Sequence, residues 1–180
     1  MIERLNLGCG KDILPGYVNV DYFPLPGVDI VCDLTQFPWP LQSNTYTEIV
    51  MLNVLEHVPD TLRTLREIWR IARPGAKVTI RVPYWNGYDA FTDPTHLKFF
   101  SERTLMFFDH RSTWYRAYEH MFQCKFVIER LGYYIRIPVT AVKGKYLLIH
   151  NPLIKMLLSF LATYLNNIIC VLEVDYRAIK

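Results

Sequence analysis

The chain has 180 residues, 51% of them hydrophobic and 14% aromatic, and a formal net charge of +3. That length holds one substantial core but not two ordinary domains, and so apolar a composition excludes intrinsic disorder, because enough surface can be buried to offset the entropy of ordering. Lys and Arg are scattered, so nucleic acid is not an expected partner. Cys9, Cys32, Cys124 and Cys170 show neither Cys-x-x-Cys pairing nor the framework of a small secreted domain, which fits free thiols in the cytoplasm. The opening MIERLNLGCG lacks the apolar stretch of a secretion signal. The nearest approach to a membrane span, residues 154–172, is interrupted by Asn166 and Asn167, so integral membrane insertion is not expected either.

Residues 3–7 read as a strand entering the tight turn Gly8-Cys9-Gly10. Short strands follow at 17–21, closing on Asp21, and at 27–31, ending before Cys32-Asp33. Residues 36–44 form a proline-rich loop, and the apolar run 48–52 is a fourth strand covered on both faces. The clearest helix spans 60–72. Its Leu62, Leu65, Ile68, Trp69 and Ala72 recur at three- and four-residue steps, with Arg63, Arg66, Glu67 and Arg70 opposite. Pro74-Gly75 ends it, and the alternation of Val78, Ile80 and Val82 with Lys77, Thr79 and Arg81 predicts a fifth strand over 77–82.

Residues 84–100 read as a long ordered loop, and 101–108 as the start of a short helix capped by Ser101. A long strand or hairpin arm over 122–137 has a bend at Gly132. A helix over 151–166 carries Ile154, Leu157, Leu158, Leu161 and Leu165 on one side; that face packs on its own domain, pairs with a second subunit or rests on a membrane, in that order of preference. A last strand covers 168–177, where Val171, Glu173 and Asp175 spoil a uniformly buried reading.

This order is largely that of an open parallel α/β sheet in a single domain over 1–180. One connection is awkward. Only residues 11–16 separate the first two strands, whereas a parallel crossover normally takes about a dozen residues or more. Either those strands pair differently or the usual first helix has been trimmed to an irregular loop.

In such sheets ligands bind beyond the carboxyl ends of the strands. There stand Gly8-Cys9-Gly10, Asp21, Asp33 and the run Asn53-Val54-Leu55-Glu56-His57. Glycines admit a ligand close to backbone, and an acid at the next strand end can accept hydrogen bonds from both hydroxyls of a ribose. An adenosine-containing ligand follows. A dinucleotide fingerprint would place a third glycine where Ile13 stands, and no helix amino terminus fits there to seat a pyrophosphate. A cofactor with adenosine and no phosphates fits better; a nicotinamide-dependent oxidoreductase is the weaker alternative.

The runs LNLGCG, GYVNVDYFP, DIVCDLTQFPWP and YTEIVMLNVLEHVPDTLRTLREIWRIARPGAKVTIRVPYW stand in that order over residues 3–85, and DPTHLKFFS follows. Together they resemble the class I S-adenosylmethionine-dependent methyltransferases, and most of all the compact type 11 branch. The resemblance implies a Rossmann-like, mostly parallel sheet of seven strands with the last antiparallel and a shortened first helix connection. Residues 1–83 would form the cofactor half and 84–180 the acceptor-side loop and sheet completion. It implies that Gly8 and Gly10 line the methionine and ribose side of the cofactor, with Cys9 contributing backbone. Asp21 would bind the ribose hydroxyls, Tyr22 or Phe23 lie against adenine, and Asp33 receive its amine with Leu34 beside the ring. Asn53, Val54 and Leu55 would pass under the methionine end, while Glu56 and His57 border the acceptor. S-adenosylmethionine is then the cofactor and S-adenosylhomocysteine the product.

Two departures bear on the acceptor. The helices that commonly precede this unit and close its acceptor pocket do not appear, so cover comes from residues 84–108, the C-terminal segment or a second subunit. The Asn/Asp-Pro-Pro-aromatic motif of amino-methylating nucleic-acid enzymes is replaced by NVLE, which favours a hydroxyl of a sugar-like or other small acceptor. An alcohol loses a proton on methylation, and His96 in Asp93-Pro94-Thr95-His96 is the first candidate base, His57 the second. Tyr84, Trp85 and Tyr88 are candidates for an aromatic acceptor wall, with core cover an equal reading for Tyr84. Arg81 and Arg111 are weaker candidates for an acidic substrate. No metal-ligand cluster is evident and no metal is expected. A non-catalytic cofactor-binding subunit, completed by a partner, is the competing function.

Overall fold

The computed structural model describes residues 3–136, 146–154, 156–158 and 169–180. Four parallel connections build its first half. β1 (Arg4–Leu7) lies between β2 (Val18–Asp21) and β4 (Tyr46–Leu52), β3 (Ile30–Val31) flanks β2, and β5 (Ala72–Pro83) flanks β4. The first two strands are therefore parallel, and the trimmed-helix alternative holds. Two buried asparagines do what the missing helix would have done for the backbone. Asn6 Nδ2 donates to Asp12 O and to Asn19 Oδ1, both at 3.0 Å, while Asn19 accepts from Leu14 N at 2.9 Å and donates to Leu14 O and Tyr17 O. An irregular return loop against a sheet would otherwise carry unpaired polar groups.

Between β4 and β5 stand a 3₁₀ turn (Leu55–His57) and α1 (Thr61–Ile71). Asp60 caps α1 by accepting from Arg63 N at 2.9 Å. Leu65, Ile68 and Ile71 are buried in the core, and Leu62 and Trp69 pack against it from the margin. The helix ends a residue before the expected boundary because Ala72 already pairs with Tyr46 as the start of β5. The register then shifts, so that Glu48 pairs with Lys77, which accommodates Pro74-Gly75 inside the strand.

Short helices α2 (Asp89–Thr92), α3 (Glu102–Met106), α4 (Thr113–Ala117) and α5 (Glu119–Phe122) follow. Ser101 caps α3 as expected, in a reciprocal box with Thr104. Strands β6 (Lys125–Arg136), β7 (Tyr146–Ile149) and β8 (Ile169–Ile179) complete a sheet of order β3-β2-β1-β4-β5-β8-β6-β7. The expected seven strands with the last antiparallel are β1 to β6 and β8; β7 adds an edge strand beside β6. Gly132 is not a bend, since it pairs in register with Glu173; the irregularities fall between Ile128 and Arg130 and between Tyr134 and Ile135.

Glu173 and Asp175 also correct the expectation. They alternate with core residues Leu172, Val174 and Tyr176 on β8 and are themselves buried. Arg81 and Arg130 reach across the sheet to them at 2.7 Å each, and Thr79 Oγ1 donates to Asp175 at 2.6 Å. Strand alternation puts both acids on one face, where neighbouring strands supply their counter-ions. Of the helix expected over 151–166, residues 152–154 and 156–158 are helical, with Ile154 and Leu157 exposed; residues 155 and 159–168 lie outside the described residues.

Candidate functional site

Two clefts open beyond the carboxyl ends of the parallel strands, and His57 lines both. The first has a volume of about 510 Å³ and is lined by Gly8, Asp21, Tyr22, Phe23, Asp33, Leu34 and Val54, with Cys32, Thr35 and Val58, which the sequence did not single out. Gly8 and Cys9 donate their backbone N–H groups to Val20 O at 2.8 and 3.0 Å, folding the turn over the end of β2. Asp21 then binds it from the side: Oδ2 accepts from Gly10 N at 2.7 Å and Oδ1 from Phe23 N at 3.0 Å.

Both glycines have positive φ, 67° at Gly8 and 51° at Gly10. A Cβ at Gly8 would also stand 2.4 Å from Val54 Cγ2, whereas one at Gly10 would meet nothing within 4 Å. The Tyr22 and Phe23 rings meet edge to face at 4.9 Å and are each 59% exposed. Asp33 Oδ1 accepts from Thr35 N and Oγ1 in a local turn. Cys9 is buried, and burial together with the nearby Asp21 carboxylate raises its thiol pKa, the wrong direction for a nucleophile. Leu55 is wholly buried in the core and lines neither cleft, while Asn53, at a φ of 56°, opens to the second cleft.

The second cleft, of about 570 Å³, is lined mostly by polar and charged residues. Glu56, His57, Asp93 and His96 line it together with Asn53, which was expected under the methionine end of the cofactor, and with Arg81, Asp89, Thr92 and Tyr134. The loop after α2 is fastened to the strand end that it covers: Leu97 N and Lys98 N donate to Glu56 O at 2.9 and 3.2 Å. Thr95 donates its N–H and hydroxyl to Asp93 Oδ1 at 2.8 and 2.6 Å. His57 Nδ1 lies 3.3 Å from Thr95 O and 3.0 Å from Thr95 Oγ1, and His96 Nδ1 lies 2.9 Å from Ala90 O. A carbonyl oxygen only accepts, so each ring donates from Nδ1, and Nε2 stands clear of these contacts. The two rings meet edge to face at 4.7 Å.

Glu56 is the anomaly of the site. It is 1% exposed, and neither carboxylate oxygen has a hydrogen-bond partner. Burial pushes its carboxyl up to about 7, against the opposing pull of its own nearby main-chain amide, which makes no hydrogen bond to it, and of His96. The fold thus brings Glu56 and His57 together with His96 from a distant loop, a ligand-bearing cluster that was not evident in the sequence.

The aromatic wall is not in this cleft. Tyr84 is buried against Tyr133, Tyr88 faces solvent, and Trp85 with Tyr84 lines a separate depression beside α3. Arg81 does reach the cleft, but Glu173 engages it, and Tyr134 OH donates to the same Glu173 oxygen at 2.9 Å. Arg111 is away from the site, paired with Asp109 at 2.6 Å.

The sequence matches a family model described as a methyltransferase domain over residues 2–120. The chain belongs to that family. The methyltransferase has no match among curated proteins. Its fold is similar to that of a SAM-dependent methyltransferase from Archaeoglobus fulgidus, with a TM-score of 0.61 at 15% identity over 97% of this chain and 85% of that one. A putative methyltransferase solved in complex with the Haloferax volcanii Trm112 methyltransferase activator gives 0.58 at 12%, over 98% and 82%. A Burkholderia thailandensis 1,6-didemethyltoxoflavin-N1-methyltransferase, solved with S-adenosylhomocysteine, gives 0.53 at 15%, over 98% and 71%. At these identities the likeness is one of fold. The family match makes the chain a methyltransferase, and its fold is the one shared with these S-adenosylmethionine-dependent enzymes. No helix among the described residues is long and apolar enough to cross a membrane.

Proposed function

We propose that the methyltransferase transfers the methyl group of S-adenosylmethionine to a hydroxyl of a small, sugar-like acceptor, with cofactor in the cleft at Asp21 and acceptor in the cleft at Glu56. The observation that carries this reading is the shared wall: His57 lines both clefts, so a donor in one and an acceptor in the other meet beside it. The first cleft suits adenosine without phosphates. Asp21 stands at the end of β2, the exposed Tyr22 and Phe23 rings offer an apolar face, Asp33 keeps Oδ2 for an amine, and no helix begins at the glycine turn. Gly8, Cys9 and Gly10 would serve through backbone, as would Asn53, Val54 and Leu55 under the methionine end.

S-adenosylmethionine supplies an electrophilic methyl on sulfur, and holding an acceptor in line with it replaces a bimolecular encounter. In the second cleft Asn53, Asp89, Thr92 and Asp93 offer the mixed donors and acceptors that hydroxyl groups require, and Arg81, neutralised by Glu173, leaves no excess positive charge for a polyanion. The reacting hydroxyl meets Glu56, His57 and His96, which hold it and take up its proton. S-adenosylhomocysteine is the product.

A second chain covering the mouth is the competing reading, favoured by Phe91 and Phe99, which stack at 4.7 Å and face solvent. Calorimetric titration with S-adenosylhomocysteine, with NADH as comparison, tests the cofactor half. Selective binding of S-adenosylhomocysteine is expected, and selective binding of NADH refutes it. A screen of hydroxylated acceptors tests the rest; product only on nucleic acid refutes the acceptor class, and product only after a partner chain is added favours the second reading.

A further inference from the structure

We propose that Glu56, His57 and His96 form a binding site for a divalent transition-metal cation of the Zn²⁺ type on the wall of the polar cleft. One ligand atom from each residue lies within 4.8 Å of the others. His96 Nε2 is 4.0 Å from Glu56 Oε1, too far to be a hydrogen bond, so the groups converge without satisfying one another. Both imidazoles are held by Nδ1, His96 to Ala90 O and His57 to Thr95 O and Oγ1. That is the arrangement of ligating histidines: the second nitrogen donates to a carbonyl, which fixes the tautomer, orients the ring and leaves Nε2 to the metal.

Glu56 supplies the independent observation. A 1% exposed carboxylate with neither oxygen hydrogen-bonded carries an uncompensated desolvation cost. A cation seated between it and the two imidazoles removes that cost. Two nitrogens and one carboxylate, with positions left open to a cleft, suit Zn²⁺ and its neighbours, whereas Mg²⁺ and Ca²⁺ favour all-oxygen sets. Bonds of about 2.0–2.1 Å place tetrahedral ligands roughly 3.4 Å apart, so the three groups close by about an ångström on binding.

The cation site stands without the methyl-transfer reading; only its use rests on that reading. An acceptor hydroxyl taking an open position would lose its proton more readily, the proton passing to solvent water in the open cleft, and the two imidazoles would then act as ligands instead of proton acceptors.

The test uses the full chain after chelation, titrated with Co²⁺ while the visible d–d bands are recorded, then with Zn²⁺ in competition. S-adenosylhomocysteine is titrated into the same samples. One Co²⁺ per chain, displaced by Zn²⁺, is expected, with affinity at least about tenfold weaker in His96→Ala and in the isosteric Glu56→Gln and S-adenosylhomocysteine binding retained in both. In the parent chain Zn²⁺ shifts the ring resonances of His57 and His96 and leaves those of His110 and His120. No stoichiometric binding, equal affinity in both variants, or shifts confined to other histidines overturns the site. Cation binding with no S-adenosylhomocysteine binding sinks the methyl-transfer reading and leaves the cation site intact; the reverse result does the opposite.

Discussion

Asp21, closing β2, and Glu56, in the 3₁₀ turn after β4, are both largely buried carboxylates, yet Asp21 accepts amide bonds from Gly10 and Phe23 while Glu56 accepts none. The partners of Asp21 lie eleven residues before it and two after, inside one turn-strand-turn unit. Those around Glu56 come from its own turn neighbour His57 and from the loop over residues 89–98, which brings carbonyls and the His96 imidazole but no donor for the carboxylate. One cleft is therefore a product of local chain geometry, the other of a tertiary meeting between a strand end and a distant loop. Substitutions should separate the two accordingly.

The largest effect is expected at Glu173→Ala, which leaves Arg81 and Arg130 without their shared buried acid. Denaturant unfolding should show a loss of about 3 kcal/mol. Arg81 and Tyr134 lose their anchor in the polar cleft, whereas titration should show unchanged S-adenosylhomocysteine binding; a parallel loss of binding would mean that the clefts are not independent.

Gly8→Ala comes next, at roughly 2–3 kcal/mol, because left-handed backbone strain adds to the close approach to Val54. Adding Val54→Ala should recover the steric share and not the backbone share, while Gly10→Ala, with open space around it, should cost about 1 kcal/mol. Equal costs at the two glycines would argue against the contact with Val54. Asp21→Asn should weaken S-adenosylhomocysteine binding about tenfold, or roughly 1.4 kcal/mol, without comparable loss of fold stability.

The smallest effect concerns pH. Burial raises the Asp109 pKa, but hydrogen bonds from the Arg111 side chain and from the Ile128 and Arg111 amides outweigh it and leave the carboxyl below its ordinary value. A depressed folded pKa means that the unfolded chain binds the proton more readily, so the stabilisation is present above about pH 4 and is lost as pH falls through the folded value. Denaturation midpoints of Asp109→Asn should therefore fall less steeply with acid than those of the parent, and parallel curves would contradict the assignment.

The cofactor half was largely legible because its signals are short-range. A glycine turn, an acid closing a short strand and an amphipathic helix before Pro74-Gly75 each lie within a window over which backbone geometry couples neighbours. Even there Asn6 and Asn19 passed unnoticed, since nothing local marks an asparagine as the partner of a loop. In the second half residue type alone points to Tyr84, Trp85 and Tyr88, whereas Arg81, Asp89, Thr92 and Tyr134, the polar side chains that the fold gathers beside Glu56, come from three separate elements.

By itself the sequence determined the family, the order of the first five strands and the helix between the fourth and fifth, because periodicity and turn chemistry are properties of adjacent residues. Only the tertiary structure decided that β8 inserts between β5 and β6, that its acids are buried with arginines from both neighbours, and that His96 comes to stand beside Glu56 and His57. Those outcomes depend on which strand edges meet and where a long loop is fastened, and such non-local pairings leave no period in the chain.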